Sequence, residues 1–395
     1  MGTPALKKSR TQVARTGCEA YQASNANRLA PAQWSTQACW CRCPAVARSA
    51  ITLKSQPLRA RDGARFRCSG SGLCCTDIHG LGVLTQSEVR DLRRRDKLAV
   101  IYSDDLEGHC LRPVDHHCLF LEGQRCQIHA KQGHEAKPAG CRRFPYGLVR
   151  TPQGGRVTTE HRCPCRTLGD RPILSLEDAA KSLRDRAGRL ESDFDVPARI
   201  ALDRTRRVSF DRYAELEGRL IARLNAGEPA EQVLGARPLP ALTNGTWTTV
   251  AAEHIDTRDG TAGGDAFAWF GDALLNLCAG HTPPERPRPW HASFERALGE
   301  TTPPTPDEVY NDWIADEIWM FRWIGWGPFD VARAELATRL AVARLLQGWV
   351  EKRGVSPGQA AAEAVMMCEL VAAGSDWPAA AEDIARDPSP ADPLD

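Results

Sequence analysis

The chain has 395 residues, 42% of them hydrophobic and 26% charged, with a formal net charge of +1. That balance is ordinary for a globular protein and leaves ample apolar material for a core spread over two or three domains. No apolar run reaches the ~18 residues of a membrane span, and Lys7, Lys8 and Arg10 precede no apolar stretch, so neither a span nor a signal peptide is expected and the cytoplasm is the predicted location.

Residues 1–60 lack apolar periodicity and read as a disordered leader or a start site assigned too far upstream. Cys39, Cys41 and Cys43 lie there, but alternate residues of an extended chain point to opposite sides and do not converge on one ion. From residue 61 to 170 the chain is cysteine-rich and mostly irregular, with two regular elements. Thr85-Gln86-Ser87-Glu88 is a capping box that opens a helix through Arg95. Gly147–Thr151 and Arg156–Thr159 read as a β-hairpin around Pro152-Gln153-Gly154-Gly155. The run Arg93-Arg94-Arg95 closes that helix, where cations suit the helix dipole, and no basic stripe interleaved with aromatics accompanies it; no nucleic-acid or membrane partner is expected.

Residues 171–385 carry helical patterns. Leu176, Ala179, Ala180, Leu183, Ala187 and Leu190 form one stripe after Ser175, and Phe210, Tyr213, Leu216, Leu220, Ile221 and Leu224 another after Ser209, ended by Gly227 and Pro229. Asn244-Gly245 marks a turn, and Thr246–Val250 is predicted as a strand. Residues 281–306 are proline-rich and predicted as a connecting loop. Thr305-Pro306-Asp307-Glu308 then starts a helix carrying Trp313, Trp319 and Trp323 that breaks at Gly325–Pro328. Helices follow to about Glu351 and from Ser356 to Ala373, and residues 386–395 read as a disordered tail. The tryptophans read as a helical core, and Cys278 and Cys368 as small buried hydrophobes. The expected fold class is mainly α: an irregular α+β cysteine-rich metal-binding module joined to a helical domain.

Nine of the fifteen cysteines lie between Cys68 and Cys165. Close-set cysteines in a chain of this size point to thiolate ligands rather than to a disulfide framework. The region has no C-x2-C knuckle, and the adjacent Cys74 and Cys75 diverge from one another, so a polynuclear site accounts for more of the thiols than one four-coordinate zinc would. His161 and His129 flank cysteines and are weaker ligand candidates; Cys110 is the spare.

The ordered residues Phe66-x-Cys68-x5-Cys74-Cys75, Cys118-x-Phe120-Leu121, Cys126-x-Ile128-His129 and Pro138-x2-Cys141-Arg142-x-Phe144-Pro145 resemble the YkgJ-like cysteine-cluster family, described as zinc- or iron-chelating. The resemblance covers residues 66–165 and implies Cys68, Cys74, Cys75, Cys118, Cys126 and Cys141 as metal ligands, with Cys163 and Cys165 completing the set. The longer layout, a cysteine cluster before a tryptophan-rich helical region, is similar to flagellin lysine N-methylases. That likeness implies an iron-sulfur cluster, S-adenosylmethionine and a protein substrate, although the sequence has neither the C-x3-C-x2-C triad nor a glycine-rich cofactor fingerprint. The expected function is a metal-binding cysteine-cluster protein, iron-sulfur or zinc; the alternatives are methyl transfer to protein lysine and a zinc-stabilised interaction module.

Overall fold

Helix starts are set where a hydroxyl can satisfy the first free amides, and five of the predicted starts use that device. The computed structural model describes residues 50–51, 57–103, 107–185, 187–238, 246–256, 260–325, 327–374, 377, 380 and 381. In chain order these include β1 (Leu58–Ala60), α1 (Gln86–Arg95), β2 (Val100–Ser103), β3 (Gly108–Leu111), α2 (Ala139–Arg143), β4 (Tyr146–Thr151), β5 (Gly154–Thr159), α3 (Pro164–Thr167), α4 (Leu176–Leu183) and β6 (Phe194–Asp195). They continue with α5 (Phe210–Asn225), α6 (Thr246–Asp256), α7 (Ala262–Ala279), α8 (His291–Leu298), α9 (Pro306–Met320), α10 (Phe329–Glu351) and α11 (Pro357–Ala372). Thr85 and Thr305 each close a reciprocal capping box, and Ser175, Ser209 and Ser356 accept from the amide three residues on.

The protein is mainly helical, with small sheets. The largest sheet runs β6-β4-β5-β1; β4 and β5 form the antiparallel hairpin, and β1 and β6 join its two edges in parallel. A single hydrophobic cluster extends from Ala64 and Phe66 of the cysteine region through Trp313, Phe329 and Met366 of the helices to Ala380. A satellite core of Leu84, Val89, Leu92, Ala99, Val100 and Ile128 supports α1 and the β2–β3 hairpin. Among the described residues no helix is long and apolar enough to cross a membrane.

Several expectations are corrected. Thr246–Val250 is the first half of α6 and not a strand. Trp247, Val250, Ala251 and His254 recur at helical spacing and are all buried, so packing against α7, with His254 against Phe270, overrides the local β preference of the threonines. The stripe after Ser175 stops at Leu183: Arg184 is extended, and Leu190 reaches the core from a two-residue strand. The proline-rich stretch contains α8, whose Phe294 and Ala297 are buried next to Trp290. Helix α9 ends at Met320, with Phe321 in the left-handed region, and Trp323 sits in the separate turn Arg322–Gly325. Cys39, Cys41, Cys43, Asn244, Gly245, Trp326 and the tail beyond Asp387 lie outside the described residues.

Candidate metal centre

Short elements each deliver one or two thiols. Cys68 precedes a Ser69-Gly70-Ser71-Gly72 loop in which both glycines have positive φ, near 80°, a backbone region in which other residues are strained. The loop returns the chain to the turn Leu73–Cys75, and Arg296 of α8 pins it by donating to the Ser71 carbonyl at 2.7 and 3.1 Å. A bridge between Thr76 and His117 sets Cys75 beside Cys118, and the two-residue ladder Leu121–Glu122/Arg125–Cys126 follows. Cys141 rides on α2. A Cβ on its neighbour Gly140 would meet the Leu81 carbonyl oxygen at 1.9 Å, so only glycine lets α2 approach this closely. Glu88 holds the start of the same helix: one oxygen closes the capping box of α1 and the other accepts from the Ala139 amide at 2.7 Å. The β4–β5 hairpin then returns the chain to α3, which carries Cys165 behind the N-cap Cys163.

All eight predicted cysteines come together in one electrostatically linked group. Cys165 faces Cys163, Cys68, Ser69 and Ser71, with Ser69 Oγ 3.1 Å from its sulfur. Hydrogen bonds from these neighbours hold its thiol far below the usual range. Cys74 is likewise lowered, by the Cys75 thiol and, against the cost of burial, by the charge of Lys137. Five are pushed up: Cys68, Cys75 and Cys163 by the proton shared with a neighbouring thiol and then by burial, Cys118 and Cys141 chiefly by burial. Cys74 links the two halves of the group, since its charge is felt by Cys68 and Cys163 on one side and by Cys118 and Cys141 on the other. Cys163 and Cys165 are buried, Cys68 is exposed and the remaining five are half-buried.

This donor set fits a thiophilic cation. Clustered thiols resist ionisation because each thiolate repels the next, and a bound metal supplies the missing positive charge. The set is more open than a closed tetrahedral site: among the described residues the three donors whose ligand atoms all lie within 4.8 Å of one another are His161, Asp312 and Asp316. That trio does not need an ion. Arg61 Nε donates to Asp316 at 2.6 Å, Arg166 Nη1 to Asp312 at 2.6 Å, and each guanidinium also reaches the other carboxylate. The two arginines hold both carboxyls well below the usual range despite burial, and a divalent cation entering there would meet two guanidinium groups.

The remaining candidates divide clearly. His161 turns away from the thiols: its Nε2 pairs with Asp316 at 2.9 Å and its Nδ1 lies 3.2 Å from Thr167 Oγ1. His129 is exposed and edges His134, whereas His79 is buried against the Arg162 carbonyl at 3.1 Å. Arg142 donates to Glu135 at 3.1 Å rather than to a sulfur. Cys110 contacts the Gly108 carbonyl within the β2–β3 hairpin, and Cys368 lies in the helical core with its sulfur toward the Arg339 carbonyl. Sequence reading missed Lys137, Ser69 and Ser71, none of which has a metal-ligand side chain. It also missed the arginine–aspartate cluster, whose one visible signal was a pair of aspartates four residues apart in a tryptophan-rich helix. No family model, curated protein or solved structure matches the chain.

Proposed function

We propose that this protein is a metal–thiolate protein whose centre is built from Cys68, Cys74, Cys75, Cys118, Cys126, Cys141, Cys163 and Cys165. The observation that carries the reading is the convergence of these eight thiols from separate short elements, with no disulfide among the described residues. The resemblance to YkgJ-like proteins supports the same assignment and the choice between an iron-sulfur cluster and zinc. When bound, zinc would supply a structural cross-link and an iron-sulfur cluster an electron-transfer group. We infer a cytoplasmic location from the same thiols, whose number suits a reducing compartment.

Purification without oxygen, followed by an absorption spectrum and quantification of iron, acid-labile sulfide and zinc per chain, tests the proposal. Brown protein with iron and sulfide assigns a cluster; colourless protein with stoichiometric zinc assigns the structural centre of an interaction module. Absence of both metals from anaerobically purified protein, together with failure to take up either on reconstitution, overturns it. Methyl transfer to protein lysine, implied by the likeness to flagellin lysine N-methylases, draws support from no residue set described beside the thiols. Binding of S-adenosylmethionine to the metal-loaded protein is the measurement that would bring it back.

A further inference from the structure

A cleft of about 360 Å³ opens on the face of the β4–β5 hairpin, between its turn and helix α5 and away from the thiols. Its floor is an ion pair. Arg156 Nη1 donates to Glu217 Oε1 at 2.7 Å, and both residues are buried, 4% and 2% exposed. The guanidinium is fixed by stacking 3.9 Å above the Trp319 ring, whose indole donates in turn to the Val157 carbonyl at 3.1 Å. Only part of the pair's hydrogen-bonding capacity is used. Nη1 also reaches the Trp319 carbonyl at 3.4 Å, whereas Nε and Nη2 of Arg156 and Oε2 of Glu217 have no partner among the described residues. None of these free atoms is sealed from solvent, so each is open to a ligand entering the cleft.

The wall above the floor has been kept clear. Ala214, Gly218 and Ala222 recur every fourth residue along the cleft side of α5. A Cβ on Gly218 would meet nothing within 4 Å, so no protein neighbour demands glycine there, although glycine inside a helix costs about 1 kcal/mol relative to alanine. Arg59 and Asp62 line the cleft as well and repeat the charge pair of the floor. The charged lining is thus balanced, two cations against two anions. A phosphate would face two carboxylates, and a simple cation would face two guanidinium groups. The volume lies at the small end of ligand pockets.

We propose that this cleft binds a small zwitterion of the free α-amino-acid class, its carboxylate on the open donors of Arg156 and its ammonium on the free oxygen of Glu217. This inference is independent of the metal centre.

Titration calorimetry on the full chain tests it, using each common L-α-amino acid in turn, with propionate, propylamine and inorganic phosphate as half-matched probes. At least one amino acid should bind at millimolar concentration or below, and each half-matched probe at least about tenfold more weakly, since each can engage only one of the two charged groups. Gly218→Leu should abolish binding while circular dichroism and the unfolding midpoint stay close to those of the parent. Glu217→Gln should weaken binding about tenfold. If no amino acid binds, if propionate or phosphate binds as well as any of them, or if a folded Gly218→Leu protein binds normally, the assignment is wrong.

Discussion

The thiol cluster and the arginine–aspartate cluster lie in the same fold and both gather groups able to ligate metals, yet their charge is balanced in opposite ways. Asp312 and Asp316 are neutralised by Arg61 and Arg166, with Arg171 adding a contact to Asp312 at 3.2 Å. Among the eight cysteines, Lys137 is the cation that lowers Cys74 and opposes the rise of Cys141, Cys165 is lowered by hydrogen bonds from its thiol and hydroxyl neighbours, and Cys68, Cys75, Cys118, Cys141 and Cys163 are pushed toward the protonated form. The tighter donor geometry belongs to the cluster whose charge is already balanced, and the looser one to the cluster proposed to hold a metal. Distance between ligand atoms alone is therefore a poor guide to a metal site; the local charge balance decides.

The largest effect expected is on the thiol side. Stripping metal with a chelator under reducing conditions should destabilise the cysteine region by several kcal/mol, on the order of the folding free energy that structural metals supply. Hydrogen exchange should show faster exchange in residues 61–170 than in α9–α11. Cys165→Ser should reduce bound metal, whereas Cys110→Ser should leave it unchanged. Equal metal loss in both variants would erase the distinction between cluster and bystander cysteines.

On the ionic side, Asp316→Ala should cost about 3–5 kcal/mol in denaturant unfolding, because it breaks a buried network and leaves Asp312 as the carboxylate shared by Arg61 and Arg166, with metal content per folded chain unaltered. Loss of metal from the folded variant would mean that the two clusters are not separable. Gly140→Ala is smaller than either. A methyl group driven toward the Leu81 carbonyl must displace α2, at about 1–3 kcal/mol, and metal affinity should fall with stability because Cys141 moves with the helix.

The smallest effect sharpens the comparison within the helical half, where carboxylates outnumber their cations. Arg339 pairs with Glu317 at 2.9 Å and with Glu335 at 2.5 Å, and Glu369 lies nearby with one oxygen on the Arg162 amide at 2.8 Å. Burial, reinforced by Glu317, pushes the Glu369 carboxyl up from 4.5 to about 8. Between those values the folded chain keeps a proton that the unfolded chain has released, so stability falls as pH rises through that window. Glu369→Gln retains the acceptor and removes the titration. It should flatten the profile and stabilise the protein at pH values above 8 by about 1–2 kcal/mol. An unchanged slope would show that Glu369 ionises normally.

How much of this was legible in the sequence depends on the range of the interaction. Capping boxes at Thr85 and Thr305, the glycine turn of the hairpin and the cysteine blocks are written within a few residues and were readable. Helix α9 was readable as a helix, but it is buried on nearly every side, so no amphipathic stripe announced which face Asp312 and Asp316 would present or that arginines far earlier in the chain would meet them. The strand predicted at Thr246 failed for a related reason: His254 finds Phe270 on α7 and Trp247 finds Trp377 far along the chain, and neither partner is local. The Arg156–Glu217 floor was invisible because it joins a hairpin to a helix across 61 positions.

The ion pairs that tie the cysteine region to α9 also impose a timetable. His161 and Asp316 are 155 positions apart, and a ribosome adding about 5–20 residues per second needs roughly 8–30 s to travel that distance. Every thiol of the cluster has been synthesised before the helix that anchors its last two cysteines exists. For that interval the nascent chain offers its sulfurs to whatever meets them first; on the metal–thiolate reading proposed above, the supply of metal during translation, set against the supply of oxidant, would govern the yield of loaded protein.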